Sequence, residues 1–145
     1  MKKKVLMNVF LPLLPAMAVL LATTGDSVAV YDIPAGTVRV YSYFSILPVA
    51  NLQMITPLAA MLAVAALIMA LVYVFAHKQW CIRGVFYTAC ASTCAAAYPN
   101  LVRGDIMVVP NVVFPILMAV LCFLANAARQ KPEEKPVVSR LEKRK

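Results

Sequence analysis

Met54-Ile-Thr-Pro-Leu-Ala-Ala-Met-Leu-Ala-Val-Ala-Ala-Leu-Ile-Met-Ala-Leu-Val-Tyr-Val-Phe-Ala76 runs for 23 residues without a charge. A helix rises 1.5 Å per residue, so about 20 apolar residues cross a hydrocarbon core of about 30 Å. The stretch reads as a membrane span. Its start is expected at Thr56-Pro57, with the Thr hydroxyl as N-cap and Pro at the first helical position.

Composition supports the same solvent. The chain is 63% hydrophobic with a mean hydropathy of +0.81. Soluble domains are about 45–50% apolar, and a chain this short cannot enclose such an excess in one core. Three further apolar runs flank the first. Residues 5–22 form one. Residues 80–98 form another, which reaches span length if Arg83 snorkels to the headgroups. Residues 107–128 form the last, with Pro110 near its start. Pro115 lacks a ladder donor, so this helix is expected to begin near Asn111 or to bend at Pro115. Residues 88–97 are almost all small and suit close helix contact, which marks the third run as the most buried. Pro99-Asn100 is read as its end.

The fold class expected is therefore all-α membrane: one four-pass domain, 1–128, with spans near 5–22, 54–76, 80–98 and 107–128. The net charge of +8 is distributed accordingly. Twelve of the fourteen Lys and Arg lie in the N-terminal segment, the 76–84 connection and the tail beyond residue 128, leaving Arg39 and Arg103 for the other two connections. The positive-inside rule then places both termini in the cytoplasm of a cell-membrane protein. Lys2, Lys3 and Lys4 before an apolar run also fit a signal peptide, whose cleavage leaves three spans with the same sidedness. The run exceeds a usual signal core, so a retained helix is the reading adopted. The basic tail, 129–145, carries Pro132 and Pro136 and reads as disordered. It is expected to contact anionic lipid and no nucleic acid.

Residues 23–53 form the external loop. Val28-Ala-Val-Tyr-Asp32 and Val38-Arg-Val-Tyr41 flank Pro34-Ala-Gly-Thr37, a β-hairpin pattern. Residues 106–109 are available as a third strand. Tyr41, Tyr43 and Phe44 follow, either as an aromatic belt at headgroup level or as a partner surface. Tyr41-Ser-Tyr-Phe-Ser45, with Pro48, Asn51 and Pro57, resembles a pattern in small uncharacterised four-pass bacterial membrane proteins. That resemblance covers about a third of the chain and implies topology without a function. In outline the layout is similar to the claudin group, four helices with strands in the first external loop. The Trp and Cys pair of the claudin loop are absent, and claudin function is not carried over.

Catalytic constellations are not apparent. The carboxylates Asp26, Asp32, Asp105, Glu133, Glu134 and Glu142 all fall outside the runs, against the habit of proton-coupled carriers. His77 is the sole histidine and reads as interfacial. Cys90 and Cys94 share a helix face. With Cys122, and Met54, Met61 or Met118, they form the soft-metal alternative, and packing by small thiols is the simpler reading. Cys81, beside the membrane, is an acylation candidate. No cofactor is expected. The function expected is non-enzymatic: association with a protein partner, or with further copies, through the external β-loop. The alternatives are a small transporter or channel subunit working as an oligomer, and a membrane thiol redox or soft-metal protein.

The charge bias is testable in a cysteine-free background. A membrane-impermeant thiol reagent is expected to label Ser45→Cys on intact cells, and Ser139→Cys only after permeabilisation. The reverse pattern would invert the topology.

Overall fold

The computed structural model describes residues 2–32, 36–46, 54–102 and 109–130. Four helices and a hairpin follow in the order α1 (Lys2–Thr23), β1 (Val28–Asp32), β2 (Thr37–Tyr41), α2 (Ile55–Ala76), α3 (Gln79–Val102) and α4 (Val109–Arg129). The helices form a four-sided bundle in which α1 meets α2, α2 meets α3, α3 meets α4, and α4 closes back on α1. Each helix has two such neighbours. α3, expected to be the most buried of the four, shares the two most extensive interfaces of that ring, against α2 and α4.

Burial along each helix repeats every seven residues. On α4 the two buried rows are Asn111, Met118, Ala125 and Phe114, Leu121, Ala128. On α2 they are Thr56, Ala63, Ala70 and Ala59, Ala66, and on α3 Ile82, Ala89, Ala96 and Val85, Ser92. Leu11, Ala18 and Pro15, Ala22 continue the pattern on α1. A seven-residue repeat is slightly under two turns of a straight helix, a pattern that favours left-handed packing at shallow crossing angles.

The seam between α2 and α3 is built from small residues. Alanine side chains let two backbones approach closely. The Ser92 hydroxyl then reaches across and donates to the Ala59 carbonyl at 2.8 Å. Gly84 belongs to the same contact: a Cβ placed there would collide with the thioether of Met69. The outward faces carry the large side chains, among them Leu20, Met61, Phe75 and Phe123. On α2 the size order is thus inverted relative to a helix in a water-soluble core.

Several boundaries differ from those read in the sequence. α2 begins at Ile55 with Met54 at its N-cap position and no capping side chain. Thr56 is instead buried inside the first turn, where tertiary packing outweighs its capping preference. At the other end His77 takes the left-handed conformation, φ 50°, and its N–H donates to the Tyr73 carbonyl at 2.8 Å. That cap reverses the chain within two residues, and α3 begins at Gln79. α3 continues past Pro99-Asn100 to Val102, and α4 runs through Pro115. An apolar setting punishes unpaired backbone more than it punishes a bent helix, so helix is retained across proline. The sheet has two strands among the described residues. Val109, proposed for a third, opens α4, and residues 103–108 lie outside the description, as do the tail beyond residue 130 and the Pro48 and Asn51 positions.

By length and composition two helices, α2 and α4, can cross a membrane. Four spans were expected. α1 presents a shorter apolar stretch, Asn8–Thr23. α3 carries Arg83 and a middle of Ala, Ser, Thr and Cys, which contribute little transfer energy even though they pack well.

Ala66→Leu should overpack the α2 seam and cost about 1–3 kcal/mol. Ile68→Ala, on the exposed face, should change stability far less. Thermal unfolding in detergent compares the two, and equal losses would contradict the inward placement of the alanines.

Candidate functional site

The chain leaves α1 through a run of hydroxyls. Helix C-termini leave carbonyls without helical partners. Here the Thr23 hydroxyl donates to the Leu20 carbonyl and the Thr24 hydroxyl to that of Leu21, each at 2.7 Å. The Ser27 hydroxyl, fully buried, sits 2.5 Å from the Leu21 carbonyl and 2.7 Å from that of Thr24. The remaining carbonyl, Ala22, accepts the backbone N–H of Tyr43 at 3.2 Å.

β1 and β2 pair antiparallel in the register Val28↔Tyr41 through Asp32↔Thr37. The period of two sorts the side chains. Val28 and Val30 are buried, while Val38 and Val40 on the alternate positions of β2 are exposed. Gly36 supplies a positive φ of 62° at the reversal, which costs a glycine little. Residues 33–35 of the Pro/Gly turn lie outside the description.

Beyond β2 a turn closes from Ser42 to Ser45, with the Ser45 N–H on the Ser42 carbonyl at 3.1 Å and the two hydroxyls 3.0 Å apart. This turn aims Tyr43 into the end of the bundle. Its ring stacks on Phe114 with centroids 4.5 Å apart and planes 22° from parallel. Its hydroxyl donates to Asn111 Oδ1 at 2.6 Å. One residue therefore joins the end of α1, through its backbone N–H, to the start of α4, through its side chain, just beyond the hairpin. No buried side-chain polar atom among the described residues lacks a partner.

Tyr41, Tyr43 and Phe44, grouped as one surface in the sequence, occupy three environments. Tyr43 is 0% exposed and Phe44 38%, with Tyr41 half-buried between. Ile46, which the sequence reading passed over, is 76% exposed. Only position relative to the Ser42–Ser45 turn distinguishes these residues, and that turn has no strong signature in composition.

The cysteines are also redistributed. Cys90 Sγ lies 2.6 Å from Cys122 Sγ on α4, whereas Cys94 is exposed. The sequence paired Cys90 with Cys94 because they share a face, and brought in Cys122 only as a third soft-metal ligand. The available signal was position: Cys90 follows Ala89 and Cys122 follows Leu121, so each borders a buried row on facing helices. Cys81 is fully buried, which removes it from acylating chemistry. Among the described residues no three of His, Cys, Asp and Glu converge as a metal site would require. His77 is exposed and acts as the α2 cap.

Compared with protein-family models, curated proteins and solved structures, the chain matches none. The chemistry available at the hairpin end is thus read from geometry: a neutral phenol held as a donor, saturated hydroxyls, and an apolar rim.

Burial raises the Tyr43 phenol above its ordinary value of 10.0. As pH climbs past that value the unfolded chain releases this proton and the folded chain keeps it. The unfolded state then binds fewer protons, so stability falls with rising pH. Tyr43→Phe is expected to cost about 1–3 kcal/mol near neutrality by removing the donor to Asn111. The same substitution should flatten part of the alkaline decline. Unfolding midpoints of both proteins from neutral to strongly alkaline pH measure this, and parallel declines would remove Tyr43 as the source.

Proposed function

We propose that the chain is a four-pass integral membrane protein of the cell membrane, with both termini cytoplasmic, that acts through association and without catalysis. The observation that carries the membrane part is the set of large apolar residues exposed on the outward faces of all four helices, over an α2 whose inner face is almost wholly alanine. A soluble monomer rarely exposes contiguous apolar patches beyond a few hundred Å². Lipid removes that cost. α1 and α3 fall short of spanning by hydropathy alone, yet each packs along a helix that does not. Helices so paired share a depth in the bilayer, and small residues along α3 serve that pairing. Twelve basic residues on one side support the orientation.

The association part rests on the hairpin end. Phe44, Ile46, Val38 and Val40 form an exposed apolar set around a saturated interior. Polar groups that are already paired offer little to a reacting substrate. Apolar side chains beyond the helix ends gain by being covered, whether by a protein partner or by a second copy of the chain.

In-cell crosslinking followed by purification in mild detergent and native sizing tests this reading. One stoichiometric partner is expected. Phe44→Ala with Ile46→Ala should weaken its capture at least tenfold, the scale of a lost interface anchor. Cys90→Ser and Cys94→Ser should leave capture intact. Undiminished capture by the Phe44 and Ile46 variant would sink the assignment of this surface. A homo-oligomer indifferent to that variant would transfer the reading to a pore-forming subunit.

A further inference from the structure

Cys90 and Cys122 come from helices adjacent in the ring, 32 positions apart in sequence, and their sulfurs touch at 2.6 Å. That is closer than a packing contact between thiols and still longer than the bond of about 2.05 Å that joins a disulfide. Two sulfurs this close are placed for bridging. Both cysteines are half-buried at the flank of the α3–α4 seam, so the site is open toward the surface on which the large apolar residues lie. Cys94, one turn further along α3, is exposed, and Cys81 is sealed in the core. Among the described residues no third His, Cys, Asp or Glu joins the pair.

We propose that Cys90 and Cys122 are a dithiol site that closes to a disulfide between α3 and α4 by exchange with a small apolar disulfide. One cysteine, as thiolate, attacks a sulfur of the reagent, forms a mixed disulfide and expels one reagent thiol. The second cysteine attacks the protein sulfur of that mixed disulfide and expels the other reagent thiol. The protein loses two protons and two electrons. The reagent disulfide takes up both as two thiols. The apolar character of the reagent follows from where the site opens. Closure converts a sliding contact between two helices into a covalent one, and a reducing thiol reverses it.

Dithiodipyridine, an apolar disulfide, is the probe, applied to the intact protein in detergent. After free thiols are alkylated, cleavage at Arg83, Arg103 and Arg129 separates peptide 84–103, with Cys90 and Cys94, from peptide 104–129, with Cys122. The expected product is these two peptides joined, two hydrogens lighter than their sum, and parted by reductant. Cys94→Ser should retain the link. Cys90→Ser and Cys122→Ser should each lose it and hold a pyridylthio adduct on the remaining cysteine. Adducts retained on both Cys90 and Cys122 in the wild-type chain would overturn the proposal. So would a Cys90–Cys94 bond, a bond between two chains, or a pair that stays free while Cys94 reacts.

Discussion

Two helix backbones brought together by alanine set the dimensions of everything around them. On α2 the inward rows are Thr56, Ala63, Ala70 and Ala59, Ala66, and α3 answers with Ala89, Ala96 and Ser92. At that separation a serine hydroxyl on one helix reaches a carbonyl on the other. In a solvent without hydrogen bonds such a bond offsets the cost of burying a hydroxyl at all. The opposite half of the bundle has no such seam and fills its space with Leu11, Phe114, Met118 and Leu121. Among those larger residues Tyr43 finds the Phe114 ring to stack upon.

Much of this architecture could be read from the residues. Met54 to Ala76 predicts α2 to within one residue, because an uninterrupted apolar run admits few other structures. The β-branched flanks of residues 28–41 predict the hairpin, since alternation has a single physical meaning at that length. What escaped was whatever depends on a neighbour distant in sequence. Thr56 looks like a cap until a second helix covers it. Tyr43 looks like its neighbours Tyr41 and Phe44 until the Ser42–Ser45 turn points it toward Asn111, 68 positions away. Cys90 pairs across to α4 for the same reason. Pro99 was read as a helix end by rules formed in water, where a freed carbonyl finds a partner at little cost, yet α3 runs on to Val102.

The two ends of the bundle are built on different terms. One end is closed by Tyr43, Ser27 and the threonines that follow α1, a continuous set of donors and acceptors with little left to offer. The other end holds Arg129, whose guanidinium lies 4.5 Å over the Phe86 ring and donates to Asn126 Oδ1 at 3.2 Å. A cation held against an aromatic face ties α4 to α3 at the side richest in basic residues.

The left-handed His77 has a bearing on how the chain is made. With two residues between them, α2 and α3 emerge from synthesis as one folded-back unit. α3 alone, with its small residues and Arg83, is a poor candidate to leave water. On the four-pass reading proposed above, it would not have to do so alone: the strongly apolar α2 would carry it, and the alanine seam would let the pair shed water from both inner faces before either met lipid. A two-residue reversal in this place would then make insertion a property of the pair, and would permit a helix to be selected for how it packs instead of for how readily it enters the bilayer.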